Sequence, residues 1–105
     1  MTPSDAYYLA ENNPSKFKRK KDYYESIIAI SSCYSYWYAR SVLKGRFELG
    51  EKAIATATYD SYEYSDSVLE GRFELGEYSI FNSSLHRYYY IHTYKNNTAF
   101  QYKFI

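Results

Sequence analysis

Along residues 36–44 the apolar positions fall into two series. Tyr36, Ala39 and Leu43 stand at i, i+3 and i+7, and Tyr38 and Val42 stand four apart. The next stretch repeats both, as Tyr62, Ser65, Leu69 and as Tyr64, Val68. Such spacing gathers side chains on one face of an α-helix, which predicts helices over 36–44 and 62–70. The alternation in "SYEYS" and the run "GRFELG" fit a strand by intrinsic preference, but the recurring three- and four-residue steps decide for helix. Gly45, Gly71 and, in a third copy, Asn97 follow where a left-handed C-cap belongs.

A shorter helix completes each unit. Glu51 ends "SVLKGRFELGE", Glu77 ends "SVLEGRFELGE", and they are 26 residues apart (77 − 51), as are Glu25 and Glu51. Counted from these glutamates, the fourth residue is Ile28, Ile54 or Ile80 and the eighth is Ser32, Thr58 or Ser84. The twelfth and fourteenth are Tyr36/Tyr38, Tyr62/Tyr64 and Tyr88/Tyr90. A glutamate in a first turn suits the positive end of the helix dipole, so Glu51 and Glu77 are expected to open the short helices. Ala53, Ile54 and Ala57, like Ile27, Ile28 and Ile30, supply an inward stripe. Phe47, Leu49, Phe73 and Leu75 are expected to plug the loops, while hydroxyl and carboxylate groups at 31–35 and 58–61 cap the next long helix. "AYYLA" at 6–10 echoes "SYWYA" at 35–39 as a degenerate first copy.

Units of this size cannot bury their own apolar face and must stack on neighbours. The expected fold class is all-α, a compact α-solenoid of helix-loop-helix repeats with a 26-residue period. It forms a single domain over 1–105: a degenerate N-terminal cap at 1–24 and repeats at 25–50, 51–76 and 77–102, the last acting as C-terminal cap. The period is shorter than the ~33–47 residues of tetratricopeptide, ankyrin and HEAT units.

Composition adds one peculiarity. The chain has 105 residues, 46% of them hydrophobic, with four Gly and two Pro, which suits a small globular domain. Tyrosine is in surplus at 16 residues, more than a few small hairpins bury, and a ring with a hydroxyl is the usual currency of interfaces. The formal net charge of +1 argues against an acidic nucleic-acid mimic and against a duplex-binding domain. The single Cys33 excludes an intrachain disulfide framework and fits a reducing compartment. With no His or Asp spacing around it, it reads as a small packing residue. The first residues lack the basic and apolar regions of a signal peptide, and no apolar run spans a bilayer, so a cytoplasmic location without membrane contact is expected.

The pattern "YARSVLKGRFELGEKAIA" at 38–55 resembles a short tandem repeat of bacteriophage-encoded proteins and is similar to helical repeats of unknown function in giant viruses. The resemblance covers about 25–92, and its specific part is Val-Leu-x-Gly-Arg-Phe-Glu-Leu-Gly-Glu. It implies a viral origin and helical hairpins. It brings no catalytic residues, and the third copy departs from it after Tyr90.

Candidate chemistry is sparse. His86 and His92 are the only histidines and no Cys or paired carboxylate stands at ligand spacing, so neither a metal nor a cofactor is expected. The glycines of "KGRFELGEK" lack the Gly-Lys-Ser/Thr ending of a phosphate loop. The chain therefore reads as no enzyme but an interaction module: a phage accessory protein that binds a host protein or complex, most sharply an anti-CRISPR or other anti-defence inhibitor in the host cytoplasm. Stacking would place Trp37, Glu63 and Tyr89 in one column, flanked by Tyr36, Tyr62 and Tyr88, as a partner-binding face with an aromatic anchor. The competing placement turns Trp37 into the core. The alternative function is a small nucleic-acid-binding module in which Lys16, Lys18, Arg19, Lys20 and Lys21 hold phosphates while Tyr23 and Tyr24 stack on bases. Arg46/Glu48 and Arg72/Glu74 are expected to link adjacent loops.

Overall fold

The long helices change pitch at their second tyrosine. In a computed structural model describing residues 1–94, α4 (Ser32–Trp37) runs into a π-helical turn over Tyr38–Leu43, and α6 (Thr58–Glu63) into another over Tyr64–Leu69. The other helices are α1 (Pro3–Asn12), α2 (Pro14–Arg19), α3 (Lys21–Ile28), α5 (Glu51–Ile54), α7 (Glu77–Phe81) and α8 (Ser84–Tyr94), with 3-10 turns over Glu48–Gly50 and Glu74–Gly76. Among the described residues there is no strand, and no helix is long and apolar enough to cross a membrane. The protein is all-helical.

The pitch change moves the expected caps. Lys44 (φ 53°) and Glu70 (φ 50°) are left-handed, and Gly45 and Gly71 are not. The N–H groups of Lys44 and Gly45 both donate to the Ala39 carbonyl, and those of Glu70 and Gly71 to the Ser65 carbonyl. The wider π turn thus closes one residue early and reverses the chain before the glycine. Asn97 lies outside the described residues.

The interior repeats its bonds at the 26-residue step. Ile28, Ile54 and Ile80 are fully buried. Tyr38, Tyr64 and Tyr90, also buried, donate to Glu25, Glu51 and Glu77 at 2.6, 2.6 and 2.7 Å. The Phe47 and Phe73 amides in turn donate to the Tyr64 and Tyr90 hydroxyls, each at 2.9 Å. Arg46 grips Glu51 with two donors at 2.7 and 3.0 Å, and Arg72 grips Glu77 at 2.8 and 2.9 Å. Glu51 and Glu77 are therefore buried acceptors as well as helix openers. The arginines clasp the glutamate of their own loop, which corrects the expected bridge between loops. Their contacts to Glu48 and Glu74, at 3.9 and 3.3 Å, are also within the loop.

Residues two positions apart on an α-helix are rotated by about 200°, so each Tyr-x-Tyr pair points to opposite sides. Tyr38 turns back to Glu25, whereas Tyr36 turns forward and donates to Glu63 of α6 at 3.5 Å. α4 packs on α6 and α6 on α8, while α1 packs on α3 and α4. Further bonds join consecutive units: Ser32 Oγ to Asp60 at 2.7 Å and Thr58 Oγ1 to the Ser79 carbonyl at 2.7 Å.

Several expectations at loops and caps differ. Phe47 and Phe73 are buried plugs, but Leu49 and Leu75 are exposed, as is Ile30. Ser31 caps α4, accepting from the Tyr34 amide at 3.2 Å. α6 instead starts after Ala57, which has no side-chain acceptor to cap it, and the Thr58 hydroxyl donates to the Ser79 carbonyl of α7.

Candidate functional site

The echo between "AYYLA" and "SYWYA" holds in three dimensions. Ala6, Tyr7 and Ala10 of α1 are buried like Ser35, Tyr36 and Ala39, and Tyr8 is exposed like Trp37. α1 is held at its start by a capping box, with the Asp5 amide donating to Thr2 Oγ1 and the Thr2 amide to the Asp5 carboxylate, each at 3.1 Å. These two bonds also hold the Asp5 carboxyl below its ordinary value.

Four equivalent positions, Tyr8, Trp37, Glu63 and Tyr89, thus lie at one register of α1, α4, α6 and α8. Tyr8 is 50% exposed, Trp37 42% and Tyr89 50%, with Glu63 half-buried between the last two. Trp37 combines the two expected placements: one edge faces solvent while the ring packs on Tyr34 (centroids 5.3 Å) and Tyr7 (6.1 Å). Such partial burial gives an exposed ring a defined orientation, which lowers the entropy lost when it is covered.

The flanking tyrosines form a graded series. Tyr36 is buried, accepts from Arg40 at 3.2 Å and donates to Glu63, so it serves the packing between units and not the surface proposed for it. Tyr62 is half-buried beside the His86 ring at 5.3 Å, and burial with the nearby Asp66 and Glu63 charges raises its phenol pKa. Tyr88 is exposed, with the His92 ring at 4.2 Å and Tyr89 at 5.5 Å. Each of the first two is covered by the helix of the following unit. Tyr8 was not singled out from sequence, although its place in the "AYYLA" echo marks it.

The basic run occupies a separate place. Lys16, Lys18 and Arg19 of α2, with Lys20 and Lys21, are all exposed around the buried Phe17. Only Tyr23 of the two neighbouring tyrosines is open to solvent, since Tyr24 is buried and stacks on Phe17 at 5.4 Å. Lys18 and Lys21 border an apolar groove of about 190 Å³ floored by Phe17, Tyr38, Val42 and Leu43. Cys33 is half-buried, 3.6 Å from Ser31 Oγ. Among the described residues, no three His, Cys, Asp or Glu side chains converge as metal ligands. No protein-family model matches the chain, and neither a curated protein nor a solved structure matches it.

Proposed function

We propose that the chain is a protein-interaction module, a stacked α-solenoid whose outer register of Tyr8, Trp37, Glu63 and Tyr89 docks on a partner. The observation that carries this reading is the exposure of three large rings at one repeated register on short, well-anchored helices. Rigid aromatic anchors give large contact area for few frozen torsions. The repeat's resemblance to those of bacteriophage and giant-virus proteins supports an accessory protein acting in the host cytoplasm on a host complex. Inhibition of a CRISPR or other anti-phage effector is the sharpest form of the proposal.

The test is capture of a complex from bacterial lysate, identification of its members, and titration with the purified partner. Trp37→Ala/Tyr89→Ala is expected to weaken binding more than tenfold. Because Trp37 also packs on Tyr7 and Tyr34, Tyr8→Ala/Tyr89→Ala serves as the companion that spares that packing and should weaken binding as well. Unchanged affinity in both variants would overturn the site. The basic run supports a rival reading as a single-strand binder through its exposed cations and Tyr23. Micromolar binding of single-stranded DNA, lost on raising salt and on Lys18→Ala/Lys20→Ala, would favour it.

A further inference from the structure

The first copy of the repeat lacks its aromatic plug. Phe47 and Phe73 are buried beside Tyr38 and Tyr64, with ring centroids 4.9 Å apart in each pair. The residue 26 positions before Phe47 is Lys21, which is exposed. Here the chain runs through α2 and the start of α3 in place of "GRFELG". Lys21 instead stands at the edge of the 190 Å³ groove between α1, α2 and the π turn that follows α4. The floor of that groove belongs to the core: Phe17 and Tyr38 are buried, and Val42 and Leu43 pack against the same cluster. The Tyr38 hydroxyl is already donated to Glu25 at 2.6 Å, so the floor offers a ligand chiefly apolar contact.

Size and charge limit the occupant. Small-molecule sites usually run about 300–1,000 Å³, so a groove of 190 Å³ suits one large apolar side chain, the kind of anchor that carries most of a protein contact. Lys18 and Lys21 border it, and neither forms an ion pair among the described residues. Residues 5–25 and 38–44, which enclose the groove, hold seven cations against four acids, a net of +3, whereas the whole chain carries +1. Of those acids, Asp5 is held in the capping box and Glu25 accepts from Tyr38. The positive excess is therefore local, and it favours carboxylates on either side of the anchor. A nucleobase would bury hydrogen-bonding edges that this floor does not satisfy, which favours a polypeptide over a nucleic acid.

We propose that this groove receives a single large apolar side chain, Phe or Leu, from an acidic segment of a partner polypeptide. The anchor does at the first copy what Phe47 and Phe73 do at the later ones, and the flanking carboxylates lie beside Lys18 and Lys21. The groove shares no residue with the aromatic register of Tyr8, Trp37, Glu63 and Tyr89, so either surface can fail without the other.

The experiment uses a short fluorescent peptide with one Phe between flanks of Glu and Asp. A second peptide carries Ala for the Phe, a third carries Lys for the acids, and oligothymidine serves as the nucleic-acid probe. Anisotropy titration of the whole chain should show binding of the first peptide that weakens with salt. The Ala peptide should bind more than tenfold more weakly, and the Lys peptide should not bind. Lys18→Gln/Lys21→Gln should reduce affinity about threefold to tenfold, and Val42→Trp, which fills the groove, more than tenfold, with helical circular dichroism retained. If Val42→Trp loses helix, the Ala peptide and the lysine variant still decide. Trp37→Ala/Tyr89→Ala should leave this binding unchanged. No binding of the first peptide, equal binding of the Ala peptide, or equal affinity in the lysine variant would each overturn the groove. Oligothymidine binding tighter than the acidic peptide would return the cations to the single-strand reading and overturn it as well.

Discussion

At the residue scale, two positions carry a conformation their side chains do not favour. Lys44 and Glu70 are left-handed, which costs a residue with a Cβ roughly 1–2 kcal/mol relative to the right-handed region. Both are exposed, so little packing is lost on truncation. Lys44→Gly and Glu70→Gly are each expected to stabilise the fold by about 1 kcal/mol in urea denaturation. Gly76→Ala should act in the opposite direction by about 1–3 kcal/mol, since its Cβ meets Phe73 and Ser61 at 2.6 Å. A neutral result for the first pair would show that the left-handed turn is unstrained there.

At the element scale, the short helices are held by what their ends bind more than by their length. α5 spans four residues, too few to be stable alone. It is fixed by fully buried Ile54 and by Glu51, which accepts from Arg46 and Tyr64. Ile54→Ala is expected to cost about 2–5 kcal/mol, and Lys52→Ala on the exposed side less than about 0.5. Tyr64→Phe removes a donor to a buried carboxylate and the acceptor for the Phe47 amide, a loss of about 2–4 kcal/mol. Tyr36→Phe, which loses a 3.5 Å bond to Glu63 and the 3.2 Å bond from exposed Arg40, should cost less, about 1 kcal/mol. Equal losses from the two tyrosine variants in chemical denaturation would show that the buried glutamates do not organise the repeat.

At the scale of the whole molecule, the three buried phenols that donate to Glu25, Glu51 and Glu77 make stability sensitive to alkali. Burial above all, then the bond to a glutamate, raises the pKa of Tyr38, Tyr64 and Tyr90 well above the ordinary value. The folded chain therefore keeps three protons that an unfolded chain releases above pH ~10. Their stabilising contribution is complete below that pH and is lost as pH rises toward the folded values. The slope approaches about 1.4 kcal/mol per pH unit for each phenol, or about 4 for the three. Urea midpoints from pH 8 to 11.5 should be level at first and then fall, and tyrosinate absorbance from these rings should appear only with unfolding. Early ionisation of all tyrosines without loss of helix would contradict the buried clasps.

The helices, the 26-residue step and the buried isoleucines were legible in sequence because a repeated apolar period reports directly which positions must face a neighbour. The shared register of Trp37, Glu63 and Tyr89 came from the same period, whereas Tyr8 was not singled out although the "AYYLA" echo marks its position. Other features were set by partners distant along the chain. Local preference puts Glu51 at a helix start, but only packing brings Arg46 and Tyr64 onto its carboxylate. Tyr36 and Tyr88 occupy the same register, yet one is buried and the other exposed because α6 lies over the first. Leu49 reads as a loop plug by hydrophobicity and is a surface residue in fact, since Phe47 already fills the space beside Gly50. Sequence by itself thus determined the unit and its period, which are local and periodic properties. Tertiary structure decided which chemically similar side chains became core, clasp or surface, because that depends on the volume left by neighbouring units.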